Sequence, residues 1–470
     1  MQEHVPPGRI AIGAYAFLGV VLVASRVVGL NQSFWTDEII AVRDFVREGP
    51  RVILAGPDLS HELYGILAWA TSSAVGESEI ALRLLSVVPF LVGVALATAW
   101  LQSRWGSVAG VGFLFFATTS PLLLDITRQA RGYGLAFLAM CVLVVAALEA
   151  ERSARTGWIA AFCVAGFVGT ATLPQFGIAF VATGATLVAI TAVRRRAIAG
   201  LLFALAAIAV WYAPHAGEVN AASQIEDGAR IETAWLLTAP IDQVLLPALI
   251  WIDGTVLVPG VVWIPAVLLA IAVVGYSPLV RRLPTAFILL SGPIATVVVL
   301  WLAEAYVIPR YLSYLLVPFF VAAATGLTAI TSRGLSGATV VPAVVVVVLA
   351  AALGLRFVVL APDVMRFPRE ANRDAARAVL GADPPPARVL AYMRNPRNLE
   401  HYLGREVESL DVNDVVERVC GGPVTLAYVT QPFTLATVDV PCLARDGVVH
   451  HRFEQYARGG EMNVWIVPPG

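Results

Sequence analysis

The sequence predicts a mainly α protein, a polytopic transmembrane bundle of about eleven helices followed by a small α/β domain. Three observations predict it. Of 470 residues, 58% are hydrophobic and 14% charged, whereas a soluble domain carries roughly 25% charged residues. Apolar runs of membrane-crossing length recur as far as Leu360. From Pro362 to Gly470 the chain is charged, Pro-containing and only weakly periodic. The mean hydropathy of +0.76 excludes a disordered chain. A net charge of -1, with no basic stripe, argues against a nucleic-acid partner.

A bilayer core of ~30 Å needs about 20 apolar residues per helix. Runs that meet this need lie near 10–30, 84–102, 107–124, 133–150, 157–173, 176–193, 197–213, 257–276, 284–303, 310–330 and 338–360. The first is too long for the apolar core of a cleaved leader, so it reads as a span. Residues 62–75 are apolar but short, and charge decides their place. If they do not cross, Arg9, Arg104, Arg152, Arg155, the run Arg194–Arg196, Arg281, Arg282 and Arg333 all fall on one face. Asp37, Glu38, His61, Glu62, Glu79, Asp125, Glu218, Asp227, Asp253 and Glu304 then fall on the other. Short cytoplasmic loops collect Arg. The expectation is therefore a surface helix over 62–75, a cytoplasmic N-terminus and an extracytoplasmic C-terminal domain in the plasma (inner) membrane. Residues 1–360 form the membrane domain, with an external catalytic loop at 31–83, and residues 361–470 the soluble domain.

The outer face carries the chemistry-bearing residues. Trp35-Thr36-Asp37-Glu38 places two adjacent carboxylates just beyond the first span. They suit either a helix N-terminus or a general base that takes the proton of an acceptor hydroxyl. His61-Glu62-Leu63-Tyr64 opens the surface helix, and Arg83 stands at the mouth of the next span. A salt bridge with Glu79 would be the structural role of Arg83. Asp125, Arg128, Arg131 and Tyr133 join two later spans; Glu304, Arg310 and Tyr311 precede another. Arginines on the face that topology depletes of them suit a phosphate, which their planar fork binds in paired hydrogen bonds. Headgroup snorkelling is the alternative.

Five short motifs in order resemble those of the C-type integral-membrane glycosyltransferases, in the branch of protein O-mannosyltransferases, aminoarabinose transferases and galacturonosyltransferase-like proteins. They are Trp35–Glu38, His61–Tyr64, Leu82–Ser86, Ser120-Pro121 with Arg128–Tyr133, and Arg310–Leu312. The chain departs from that pattern where the family has prolines after the histidine, and it has Gly132 where the family has proline. The resemblance implies a hexosyl- or pentosyltransferase that uses a polyprenyl-phosphate sugar donor and an envelope glycan, lipid or protein acceptor. It makes Asp37 the base with Glu38 beside it, and gives Arg83, Arg131 and Arg310 the donor phosphate. His61, Asp125, Arg128, Tyr133, Glu304 and Tyr311 form a second tier. Family members differ in their need for a divalent metal, and no metal ligands are assigned.

In the tail, helices are expected over 369–380 and 395–403, and strands over 388–393, 424–429 and 463–467. Cys420 and Cys442 share the exported domain, which predicts a disulfide between them. A lipid or solute transporter is the rival class, but it needs polar groups near the midplane, and the span centres here are mostly Ala, Val and Leu. A catalytically inactive membrane scaffold of the same family is the remaining alternative.

Overall fold

The structure, a computed structural model, describes residues 9–55, 61–190, 194–215, 283–302 and 309–332, and residues 351–469 apart from 352–353, 356, 360, 369, 394–395, 422, 431–437 and 456–460. The expected span 257–276, most of 338–360, and Glu304 lie outside the described residues. The chain divides into two compact units. Met1–Val27, Gly49–Glu77 and Ala81–Ala361 form the first; Val28–Glu48, Ser78–Ile80 and Pro362–Gly470 form the second. The segment that carries Asp37 thus groups with Pro362–Gly470.

The first unit is helical. Its described elements are α1 (Arg9–Val27), α3 (Pro50–Ala55), α4 (Glu62–Val75), α5 (Glu79–Trp105), α6 (Ser107–Thr119), α7 (Pro121–Ile126), α8 (Tyr133–Ser153), α9 (Thr156–Thr172), α10 (Phe176–Ile190), α11 (Arg194–Tyr212), α12 (Leu283–Leu302) and α13 (Leu316–Ser332). Helix α2 (Thr36–Ile40) belongs to the second unit. Among the described residues, five segments are long and apolar enough to cross a membrane: Arg9–Val27, Glu79–Trp105, Tyr133–Ser153, Arg194–Tyr212 and Arg310–Thr328. Helix α8 is apolar on all sides and buried along almost its whole length, as expected of a central helix. Helices α1 and α11 leave most of their length exposed, the pattern of a bundle periphery that meets lipid.

Two expected spans differ in form. The run 107–124 is broken after Thr119, where Ser120 caps α7: its Oγ accepts from Leu123 N at 3.4 Å, with Pro121 at the first helical position. The run 310–330 opens with a 3-10 turn over Pro309–Leu315 before α13 begins. Arg104 grips Glu149 through two hydrogen bonds of 2.7 and 2.6 Å, and Trp100 adds a third at 2.9 Å. This paired geometry ties α5 to α8.

The second unit holds a five-stranded sheet in the order β2-β1-β3-β5-β4. Its strands are β1 (Arg388–Tyr392), β2 (Glu408–Ser409), β3 (Leu426–Thr430), β4 (Val449–Glu454) and β5 (Glu461–Val467). Strand β1 runs parallel to β2 and β3, while β5 runs antiparallel to β3 and β4. Alternation sorts β1 onto two cores. Val389 and Ala391 pack with helices α14 (Asn372–Leu380) and α15 (Arg397–Leu403); Leu390 and Tyr392 pack with α16 (Val415–Cys420). Apolar side chains on both faces mark a sheet covered on both sides. The central strands were expected; β2, β4 and α16 were not. Cys420 and Cys442 are bonded, with their Cα atoms 5.5 Å apart.

Candidate active site

Helices α5 and α8 meet at their N-terminal ends with almost no space between them. Gly134 N donates to Ser86 Oγ at 3.1 Å, and a Cβ on Gly134 would lie 1.9 Å from Ser86 O. Arg83 sits one turn before Ser86, and Arg131 and Tyr133 lie at the start of α8, so the contact brings these groups to one level. Tyr64 on α4 donates to Leu82 O at 2.9 Å, which fastens α4 beside them.

His61 completes this cluster. It caps α4 in the left-handed region at φ 66°, which is costly for a residue other than glycine. Its Nδ1 accepts from Gly132 N at 3.2 Å. That bond leaves the ring proton on Nε2 when the imidazole is neutral. Nε2 is buried and has no hydrogen-bond partner among the described residues. The Tyr133 ring lies edge-on at 4.6 Å, and the Tyr311 ring lies 6.4 Å away. Burial, and then the positive charges of Arg131 and Arg310, hold His61 well below the ordinary histidine range. It is neutral at physiological pH.

Arg83, Arg128 and Arg131 are 6%, 7% and 5% exposed. Buried guanidinium groups at this density need anionic or strongly polar company. Arg310 lies over the Tyr311 ring at 5.8 Å. Asp125 accepts from Gln129 Nε2 at 3.2 Å on the turn leading to Arg128. Arg26, which the sequence reading passed over, is fully buried in α1 and donates to the carbonyls of Ala117 and Thr118 at 3.1 and 3.2 Å. It caps the end of α6, just before the turn that leads through α7 to Arg128.

The acidic pair lies in the second unit. Glu38 is fully buried and accepts from Trp35 N at 3.1 Å, which closes the first turn of α2. Asp37, on the same turn, is half-buried. A π-helical turn over Ala41–Val46 follows α2 directly. Glu79 accepts from Arg373 Nη1 at 3.0 Å. Among the described residues, no group of three or more His, Cys, Asp or Glu side chains is placed to share a metal ion.

No protein-family model and no curated protein sequence matches the chain. The solved structures do match. ArnT from Cupriavidus metallidurans, in the apo state and bound to undecaprenyl phosphate, superposes with a TM-score of 0.54 at 14% identity, covering 97% of this chain and 98% of that one. The chain shares the fold of ArnT. A weaker likeness, with a TM-score of 0.49 at 12% identity, links 83% of the chain to 61% of the Archaeoglobus fulgidus oligosaccharyltransferase. Within this fold, the motif segments His61–Tyr64, Leu82–Ser86, Arg128–Tyr133 and Arg310–Leu312 share one unit. Tyr64–Leu82, Ser86–Gly134, His61–Gly132 and His61–Tyr311 contacts join them.

Gly132 gives its departure from the family pattern a physical meaning. Proline has no N–H to give, so proline here would leave His61 Nδ1 without its donor. A Cβ would also lie 2.4 Å from Thr172 Cγ2 and 2.9 Å from His61 Nδ1. Gly132→Pro is therefore expected to lower Tm, since it removes one hydrogen bond worth about 1 kcal/mol and overpacks the contact with Thr172 at a cost of typically 1–3 kcal/mol. Melting curves of the purified variant in detergent check this; an unchanged Tm contradicts it.

His61 also predicts a pH effect on stability. Its folded-state pKa is depressed, so its contribution is complete above the unfolded value of about 6.5 and is lost as pH falls toward the folded value. Wild-type Tm is expected to drop more steeply between about pH 7 and 5 than that of His61→Asn, because only the wild-type unfolded chain takes up this proton. Parallel melting curves in detergent decide it.

Proposed function

We propose that the protein transfers a sugar from a polyprenyl-phosphate carrier to a hydroxyl of an envelope glycan, lipid or protein on the extracytoplasmic face of the plasma membrane. The observation that carries the reading is the buried contact of His61 with Gly132 and Tyr133, within reach of the Arg131 and Arg310 charges, with Arg83 and Arg128 buried on adjoining segments. It lies in a fold that, in ArnT, has been solved with undecaprenyl phosphate.

Asp37 takes the proton of the acceptor hydroxyl as its oxygen attacks the anomeric carbon. The bond from that carbon to the phosphate oxygen breaks, and the polyprenyl phosphate leaves with the electron pair. One displacement of this kind inverts the anomeric configuration. Arg83, Arg131 and Arg310 neutralise the charge that develops on the departing phosphate, usually a large contribution to rate. His61, neutral, offers its Nε2–H to a phosphate oxygen. Arg128 and Asp125 shape the connecting turn, and Tyr133 and Tyr311 wall the imidazole. Glu38 supports Asp37 by fixing the first turn of α2.

Deleting the gene tests the substrate class in the native host. The expected result is accumulation of one polyprenyl-phosphate sugar in the lipid extract, together with loss of that sugar from an envelope component. Unchanged sugar-lipid and envelope composition contradicts the reading.

A further inference from the structure

The second unit holds a polar knot that the sequence did not announce. The Glu370 carboxylate accepts from Thr36 N at 3.1 Å, from Asn372 Nδ2 at 3.0 Å and from Asn398 Nδ2 at 3.2 Å, all on one oxygen. Thr36 Oγ1 lies 3.0 Å from both carboxylate oxygens. That hydroxyl already accepts from Asn398 Nδ2 at 2.7 Å, so its proton points to Glu370. Every neighbour named here is a donor, and an ionised carboxylate is the side chain that only accepts. Asn372 and Asn398 are 0% and 1% exposed, so a lost partner there is not replaced by bulk water.

The knot also grips the backbone before Asp37 at several points. Ser33 Oγ donates to Glu370 O. Asn372 Nδ2 donates to Phe34 O at 3.3 Å, and Phe34 N donates to the Tyr402 hydroxyl at 2.6 Å. Gln32 Nε2 reaches the carbonyls of Val364 and Met365 at 3.3 and 3.0 Å. Residues 32–36 are therefore held by the tail, through bonds that fix the peptide immediately before Asp37. A base on a short helix of five residues has little rigidity of its own.

We infer that Glu370 is a positioning residue, which orients Asp37 by clamping Thr36, and that this clamp is a function of the C-terminal domain. The inference rests on the proposed role of Asp37 as the base. Misplacing a reacting group by about 1 Å can cost 10²-fold in rate. Glu370 does not touch the donor in this account, so its loss falls on kcat and leaves the donor KM in place.

The experiment compares wild type, Glu370→Ala, Glu370→Gln, Thr36→Val and Asp37→Asn as full-length proteins in a sugar-transfer assay, with hydrogen exchange over residues 32–38. Glu370→Ala is expected to lower kcat by roughly 10²-fold, keep the donor KM, and speed exchange at the Thr36 amide. Glu370→Gln keeps an acceptor oxygen and is expected to recover most of the rate. Thr36→Val preserves shape while deleting the hydroxyl, and is expected to lower kcat by about tenfold. It serves should Glu370→Ala fail to fold. Wild-type kcat in Glu370→Ala or in Thr36→Val, with Asp37→Asn inactive, overturns the clamp alone. Unchanged exchange at Thr36 in Glu370→Ala overturns it as well. Full transfer by Asp37→Asn overturns the catalytic reading itself, whatever the Glu370 variants do.

Discussion

Asp37→Asn is expected to lower sugar transfer by about 10²- to 10⁴-fold, the usual contribution of a positioned general base. Asn keeps the shape and volume of Asp but cannot take the acceptor proton. Asp37 is half-buried on the turn that Glu38 closes onto Trp35 N, so the substitution leaves that bond in place. Expression and Tm should match wild type, and the donor KM should stay within about threefold, because the donor phosphate is assigned to arginines of the first unit. Glu38→Gln gives the useful contrast. Its amide oxygen can still accept from Trp35 N, so a much smaller loss is expected there.

The second large effect is structural. Gly134→Ala puts a methyl group 1.9 Å from Ser86 O and 2.7 Å from Ser86 C, both backbone atoms of α5 that cannot rotate away. The helices must part, and the Gly134 N to Ser86 Oγ bond goes with them. Overpacking of this kind costs typically 1–3 kcal/mol, and small residues at such crossings are what let membrane helices approach. The separation also displaces Arg131 and Tyr133 from Arg83, so the donor KM should rise as Tm falls. Gly157→Ala is the control. Among the described residues nothing lies within 4 Å of a Cβ there, and Ala is a better helix former than Gly. Gly157→Ala should leave Tm unchanged or raise it, while Gly134→Ala lowers it.

The sequence made the helical bundle legible because a membrane-crossing helix is written as an uninterrupted apolar run, and the structure places helices along those runs wherever it describes them. The helix over 62–75 was legible too, and the structure has it as Glu62–Val75. What sequence periodicity cannot give is where a run breaks. Ser120-Pro121 ends one helix and starts another inside an apolar stretch, and the sign was a cap and a proline rather than a loss of hydropathy. Strand β4 escaped notice because its residues, Val449–Glu454, are mostly exposed and polar on an edge.

The candidate site was legible in part. Its arginines stand out in loops that charge sorting expects to be poor in positive charge, and Asp37 stands out beside them in composition. The partners that set their geometry do not stand out. Gly132 looks like a defect in a motif until its N–H is seen on His61. Glu370, Asn372 and Asn398 are ordinary polar residues in a polar tail, more than 330 positions from the segment they hold. Only the fold reveals such long-range pairing, since no local spacing encodes it. Glu38 was read as a partner of Asp37 in chemistry, and the structure gives it a bond that shapes the turn.

The central claim is that this protein moves a sugar from a lipid carrier to an acceptor. The most direct measurement uses purified protein in liposomes, with a panel of radiolabelled polyprenyl-phosphate sugars and envelope extract as the source of acceptor. Transfer of label from one of those carriers to an extract component, present with wild type and absent with Asp37→Asn, is the predicted result. Movement of the labelled lipid across the bilayer with no transfer of its sugar would contradict the account and favour a transporter.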